Sequence, residues 1–254
     1  MGNGHSHLLF RHGDSLVHRL PAHAKVLALL GFVLIVVATP RERVGAFAGY
    51  AVLLAAVAAV ARIPAGFIVR RMVVEIPFVA FAVLMPVVSG GVRVDVLGVS
   101  LSQDGLLSGW NLLAKGTLGV VASILLAATT DARALLTGLQ RLRLPARLVE
   151  IAAFMVRYVE VVAAEMHRMR VARESRAFHA RHLGHLRVVA QSAGALFVRT
   201  YERGERVHLA MLSRGYAGAM PVIDARPTRL APPVLAAALP VAALAIAWAG
   251  AVWL

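Results

Sequence analysis

Long uncharged apolar runs, joined by short polar segments that carry arginine, dominate the first half of the chain. The first run extends from about Val26 to Thr39 and reaches spanning length when Ala22 to Ala24 are included. Lys25 stands where a lysine snorkels at the start of a span, and Pro40 marks its end. Val44 to Ala61 is a second, uncharged run, in which Gly45 and Gly49 have the small-xxx-small spacing that lets helix backbones approach. Met72 to Ser89 is a third, broken by Pro77 and Pro86, whose freed backbone groups must be satisfied by neighbouring helices or water. Leu106 to Thr129 is a fourth, with Lys115 inside it and Gly105 and Gly109 at its head, and Leu230 to Leu254 is a fifth. Trp248 and Trp253 sit where an aromatic belt belongs. Between the third and fourth runs, the glycines and alternating valines of Gly90 to Asp104 suit a small hairpin.

The pattern changes between Asp131 and Arg229. After Leu144 and Pro145, a proline that can open a helix at its first turn, apolar residues recur at Leu148, Ile151, Met155, Tyr158, Val162, Met166 and Met169. These steps of three and four predict one apolar face, with Arg147, Glu150, Arg157, Glu160, His167 and Glu174 mostly on the other. A second amphipathic helix follows from Val189, Ala193, Leu196, Thr200, Val207 and Met211, with Arg199, Arg203 and Arg206 beside Glu202 and Glu205. The expected architecture is an all-α polytopic membrane protein of about five transmembrane helices with a cytoplasmic insertion of amphipathic helices. Its parts are residues 1–130, 131–229 and 230–254.

Composition agrees with this. A 59% hydrophobic content over 254 residues and a mean hydropathy of +0.73 exclude an ordinary soluble domain. The net charge of +14 points to anionic lipid and acidic protein surfaces rather than nucleic acid, since a nucleic-acid binder concentrates its charge without long uncharged apolar runs. Without cysteine there is neither a disulfide framework nor thiolate chemistry. The mixed residues before the first run, Arg11, Arg19 and Lys25 among them, do not have the layout of a cleavable signal. Lysine and arginine gather in alternate joints, which places the N-terminus in the cytoplasm and the C-terminus outside. His5, His7, His12, His18 and His23 follow no zinc spacing, so a metal site there is not expected. Glu75 is a carboxylate within a span, close enough to Arg70 and Arg71 for an interfacial ion pair, the reading preferred here.

Each amphipathic helix ends in a similar tripeptide, Ser175-Arg176-Ala177 and Ser213-Arg214-Gly215, thirty-eight residues apart. Gly215 suits the left-handed residue that closes a helix, leaving Arg214 in the last turn with a planar fork fitted to a partner's carboxylate. Passive adhesion to lipid requires no such terminus. This pair of motifs resembles the two Ala-Arg-Gly motifs of the transmembrane component of energy-coupling factor transporters, and Leu209 to Gly218 looks most like the cobalt (CbiQ) branch. Ser15 to Pro21 with Lys25, Leu142 to Pro145, Arg157-Tyr158 and Glu165 extend the likeness.

The resemblance implies a non-catalytic coupling subunit in the inner membrane, without cofactor or bound metal of its own. Its partners would be two ATP-binding cassette ATPase subunits and a substrate-binding membrane subunit for cobalt. Arg176 and Arg214 would be the coupling tips, flanked by Ser175, Ala177, Ser213 and Gly215. The motif is departed from at Ser175, Ala177 and Ser213, and Ala177 enters a left-handed conformation less freely than glycine. A nickel or vitamin importer would use the same device. The chain has no G-x-x-x-x-G-K-[ST] loop of its own. A stand-alone secondary transporter calls for inverted repeats and a midplane polar site that the sequence does not display. An intramembrane enzyme built on Glu75 calls for a histidine inside an apolar run, and the histidines all lie outside the runs that start at Val26, Val44, Met72, Leu106 and Leu230.

Overall fold

The computed structural model describes residues 10–11, 13–90, 93–96, 99–176, 178, 186–217 and 234–252. Helices α1 (Leu16–Arg19), α2 (Ala22–Ala38), α3 (Val44–Val60), α4 (Ala65–Arg71) and α5 (Ile76–Val88) come first, with a 3-10 segment, Met72–Glu75, joining α4 to α5. Strands β1 (Arg93–Val96) and β2 (Val99–Ser102) pair antiparallel, Arg93 opposite Ser102 and Val96 opposite Val99, which gives the expected hairpin. Then follow α6 (Gln103–Thr129), α7 (Ala132–Arg141), α8 (Ala146–Glu174), α9 (Leu186–Leu212) and α10 (Val234–Val252). The chain divides into two compact units. One comprises residues 7–141 and 225–254, and the other residues 142–224.

In the first unit, Ala65–Val88 and Gln103–Thr129 are long and apolar enough to cross a bilayer, and α2, α3 and α10 are shorter apolar helices. Their outward faces are apolar as well: Leu34, Val52, Phe81, Val83, Val88 and Trp248 are all more than half exposed. Such surfaces face hydrocarbon rather than water. This is an all-α polytopic membrane protein. The core is small and tightly made. Phe32 and Tyr50 are fully buried and meet edge to face at 5.9 Å, with Leu118, Leu125 and Ala243 packed in the same cluster. The Tyr50 hydroxyl is satisfied by Thr39 Oγ1 at 2.9 Å.

Two lysines fasten α2 to α6, which run antiparallel, at both ends. Lys25 Nζ donates to the carbonyl of Thr129 at 2.8 Å, and also to His18 O and Thr130 Oγ1 at 3.3 Å. Lys115 Nζ donates to Val37 O at 2.8 Å. Each therefore caps orphan carbonyls at the C-terminus of the other's helix. This corrects the snorkelling expectation for Lys25, which is only 7% exposed, because a helix end lies within its reach.

Three further expectations change. The third span begins at Ala65, not Met72, so Arg70 and Arg71 lie inside the helix, and only Arg62, Ile63 and Pro64 separate it from α3 with its cap residue Ala61. Glu75 is turned inward at 4% exposure and accepts from the Thr117 hydroxyl on α6, while Arg71 stands over the Phe67 ring at 4.2 Å. The carboxylate serves the junction of the 3-10 segment with α6, in place of the expected interfacial pair. Finally, α7 was expected in the cytoplasmic insertion but packs with the membrane helices, where a Cβ on Gly138 would stand 2.8 Å from His23 N.

Of the two glycine pairs, the one on α6 is in close contact. A Cβ at Gly105 would lie 2.7 Å from Met85 O, and one at Gly109 would lie 2.6 Å from Ala82 O, so α5 and α6 meet backbone to backbone. On α3 only Gly49 is occupied, by Ile246 at 2.9 Å, and Gly45 faces open space.

Candidate functional site

The second unit contains α8 and α9. Pro145 is the N-cap residue of α8, with φ of −52° and ψ of 126°, and Arg143 before it takes a positive φ of 62°. Interhelix contacts pair rising numbers on α8 with falling numbers on α9. Tyr216, just beyond α9, bonds to Glu150, Arg199 to Glu165, and Ser192 to Arg173. The helices therefore run antiparallel, and their C-terminal ends lie at opposite ends of the pair. At 1.5 Å per residue, the 29 residues of α8 span about 43 Å.

The apolar faces expected from periodicity are partly displaced. Along α8, Tyr158, Val162 and Met169 are half-buried, but so is Glu165, while Leu148, Ile151 and Met155 are exposed. Along α9, Leu196 is buried and Thr200, Val207 and Met211 are half-buried as expected. Val188 and Ser192 take the inward places expected of Val189 and Ala193, because the contact stripe advances in steps of four.

Glu165 is the polar link of the pair. It accepts from Arg168 on its own helix and from Arg199 NH1 across the gap at 2.7 Å. Those hydrogen bonds, from Arg168 first and then Arg199, hold its carboxyl below the ordinary glutamate value. A carboxyl depressed on folding gives its stabilisation in full above its unfolded value, about 4.3. That stabilisation is lost as the pH falls through the lower folded value. Amide protection along α8 and α9, taken relative to intrinsic exchange at each pH, should therefore fall below about pH 4 in wild type. In Glu165→Gln the lower protection should already be present at pH 7 and change little on acidification.

Among the described residues, four bonds of the two helix ends repeat at an offset of thirty-eight. At the second, Tyr216 N–H donates to Met211 O and Arg214 N–H to the same carbonyl, both at 3.0 Å, and Ser213 N–H donates to Leu209 O at 3.0 Å. At the first, Phe178 N–H and Arg176 N–H donate to Arg173 O at 3.1 Å, and Ser175 N–H donates to Val171 O at 2.9 Å. Even the serines match, since Ser175 Oγ donates to Ala172 O at 3.1 Å and Ser213 Oγ to Ala210 O at 3.0 Å. The six-to-one bond is that of a Schellman closure. Gly215 supplies its left-handed residue with φ of 84°, and its N–H donates to Leu212 O at 3.0 Å. Ala177, the corresponding residue of the first tip, lies outside the described residues, as do His5, His7 and His12.

Arg176 and Arg214 thus occupy corresponding positions, each two residues beyond the last residue of its helix, and both are exposed. An arginine so placed keeps its backbone fixed by the helix end while its guanidinium fork is presented to whatever lies beyond, in a geometry suited to two-pronged pairing with a carboxylate. Serine in the preceding position alters little, because its hydroxyl folds back on the helix. His18, the nearest described histidine, has its Nδ1 2.7 Å from Ser15 Oγ and its Nε2 3.1 Å from Arg11 O. Among the described residues, no group of three or more histidines and carboxylates could hold a metal ion. The Glu165 bridge and the Tyr216 contact were not foreseen as links between the helices, since sequence periodicity does not specify the register of one helix against another.

Fold and site together define a polytopic membrane protein with a two-ended helical arm, an arginine at each end. The model of the CbiQ cobalt transport protein family matches residues 13–223, and the chain belongs to that family. The cobalt transport protein CbiQ of Rhodobacter capsulatus is 31% identical over 213 residues, covering 82% of this chain and 83% of the relative. The energy-coupling factor transporter transmembrane protein EcfT of Bacillus selenitireducens is 29% identical over 223 residues, 81% of each chain. Its counterpart in Listeria innocua is 24% identical over 223 residues, 81% of this chain and 82% of the relative. The protein is a membrane component of a transport system.

Proposed function

We propose that the chain is the coupling subunit of an energy-coupling factor importer for cobalt, docking two cytoplasmic ATP-binding cassette ATPases through Arg176 and Arg214 and passing their movement to a substrate-binding membrane subunit. The observation that carries this is the repeated closing turn. Two exposed arginines on turns that share their described hydrogen bonds, one at each end of an antiparallel arm, match a partner that offers two equivalent grooves, as a pair of like ATPase subunits does. The chain lies in the inner membrane, multi-pass, with its N-terminus in the cytoplasm, which puts α8 and α9 on the side where ATP is found. ATP is hydrolysed by the partners, and nucleotide binding works on this chain only insofar as it favours one arrangement of the grooves over the other. Cobalt is the assigned substrate because the matched family and the Rhodobacter relative are both described as cobalt transport proteins.

Proteoliposomes test this. With the chain alone, neither a membrane potential nor a proton gradient should drive cobalt inward. Uptake should appear only when both the ATPases and the substrate-binding subunit are added with ATP, and a tenfold excess of nickel should compete weakly. Uptake by the chain alone would make it a secondary transporter, and stronger competition by nickel would reassign the metal.

A further inference from the structure

The two tips share a backbone frame but differ in the residue that follows it. The residue after the closing position is Phe178 in the first and Tyr216 in the second, and only the tyrosine has a hydroxyl. Tyr216 Oη donates to Glu150 Oε2 at 3.1 Å, a bond strengthened by the charge on the acceptor. Partial burial and this contact raise the phenol above its ordinary value, so it remains a donor throughout the neutral range. Glu150 lies in the first turns of α8, just after the link Leu142 to Pro145 by which the chain leaves α7. Arg176 lies beyond the other end of α8, about 43 Å of helix away. A push on Arg176 must therefore travel the length of α8 to reach that link. A push on Arg214 meets the base of α8 within two residues and one hydrogen bond.

We propose that the Tyr216–Glu150 bond is a clasp through which the second arginine tip delivers movement to the base of α8, so that the two tips act on the chain by unequal routes. Tyr216 and Glu150 are positioning residues for Arg214, and the proposal rests on the docking reading given above. The clasp is not needed for the ATPase to bind, since Arg214 and its closing turn remain without it. It is needed for a bound ATPase to move α8.

The assembled complex, reconstituted with its ATPases and substrate-binding subunit, tests this with two readouts: ATPase retained, and cobalt moved per ATP hydrolysed. Tyr216→Phe and Glu150→Ala should each retain the ATPase while lowering cobalt moved per ATP about tenfold. The double variant should be no worse than either single one, the signature of one shared interaction. Glu150→Gln, which keeps an acceptor oxygen, should restore most of the yield. Because the chain has no cysteine, a nitroxide on Ala217→Cys reports the clasp directly, and its mobility should rise in Tyr216→Phe. Unchanged yield or mobility in Tyr216→Phe, or additive losses in the double variant, would overturn the clasp and leave docking standing, provided Arg214→Glu still weakens ATPase binding. Undiminished binding in Arg214→Glu would overturn docking by the second tip, and the clasp with it.

Discussion

Reversing both tip charges, Arg176→Glu with Arg214→Glu, should weaken the hold of the chain on the proposed ATPase subunits by roughly a hundredfold or more, enough to abolish co-purification from membranes. Losing one partner of a buried, hydrogen-bonded charge pair leaves the other charge uncompensated, and reversal adds repulsion to that loss. Nothing inside the chain should change, because both side chains are exposed and their turns are held by backbone and serine bonds. Amount inserted, helicity and thermal midpoint in detergent should match wild type. Each single variant should fall between the two, since one tip remains. Arg214→Lys separates the docking reading from lipid adhesion: a lysine satisfies a lipid phosphate but cannot make the two-pronged contact, so loss of ATPase is expected. Full retention in the double variant would show that the arginines are not the contact.

The largest effect on stability is expected from Gly105→Ala with Gly109→Ala. Each new methyl would stand within 2.7 Å of a backbone atom of α5, Met85 O and Ala82 O in turn. Overpacking at one such site costs about 1–3 kcal/mol. Alanine returns about 1 kcal/mol per site in helix propensity. A carbonyl oxygen within a helix cannot swing aside as a side chain can, so the clash should win, with a net loss of up to roughly 4 kcal/mol for the pair. A lowered thermal midpoint in detergent would show it. Gly45→Ala is the control, because nothing lies within 4 Å of its added methyl. Equal midpoints for the pair and the control would mean that α5 and α6 do not depend on their close approach.

The sequence by itself determined which segments are apolar helices, where the hairpin falls and where two helices end in arginine. These are local properties, fixed by hydrophobic runs long enough to cross a bilayer, by Ser102 capping α6 and by Gly215 closing α9. Only the tertiary structure decided what the polar groups within those segments do. Lys25 and Lys115 look like interruptions of two spans until α2 and α6 lie antiparallel, when each reaches the other's last carbonyls. Glu75 suggests a partner one turn away until α6 brings Thr117 to it. Gly45 and Gly105 read alike, yet only one meets another backbone. The equivalence of the two tips was legible as spacing, but their opposite placement and the Tyr216–Glu150 contact required the register of α8 against α9. The physical reason is common to all of these: a helix period specifies which residues share a face, whereas the choice of neighbour depends on contacts between residues far apart in the chain, 104 positions for Lys25 and Thr129 and 204 for Arg43 and Ala247.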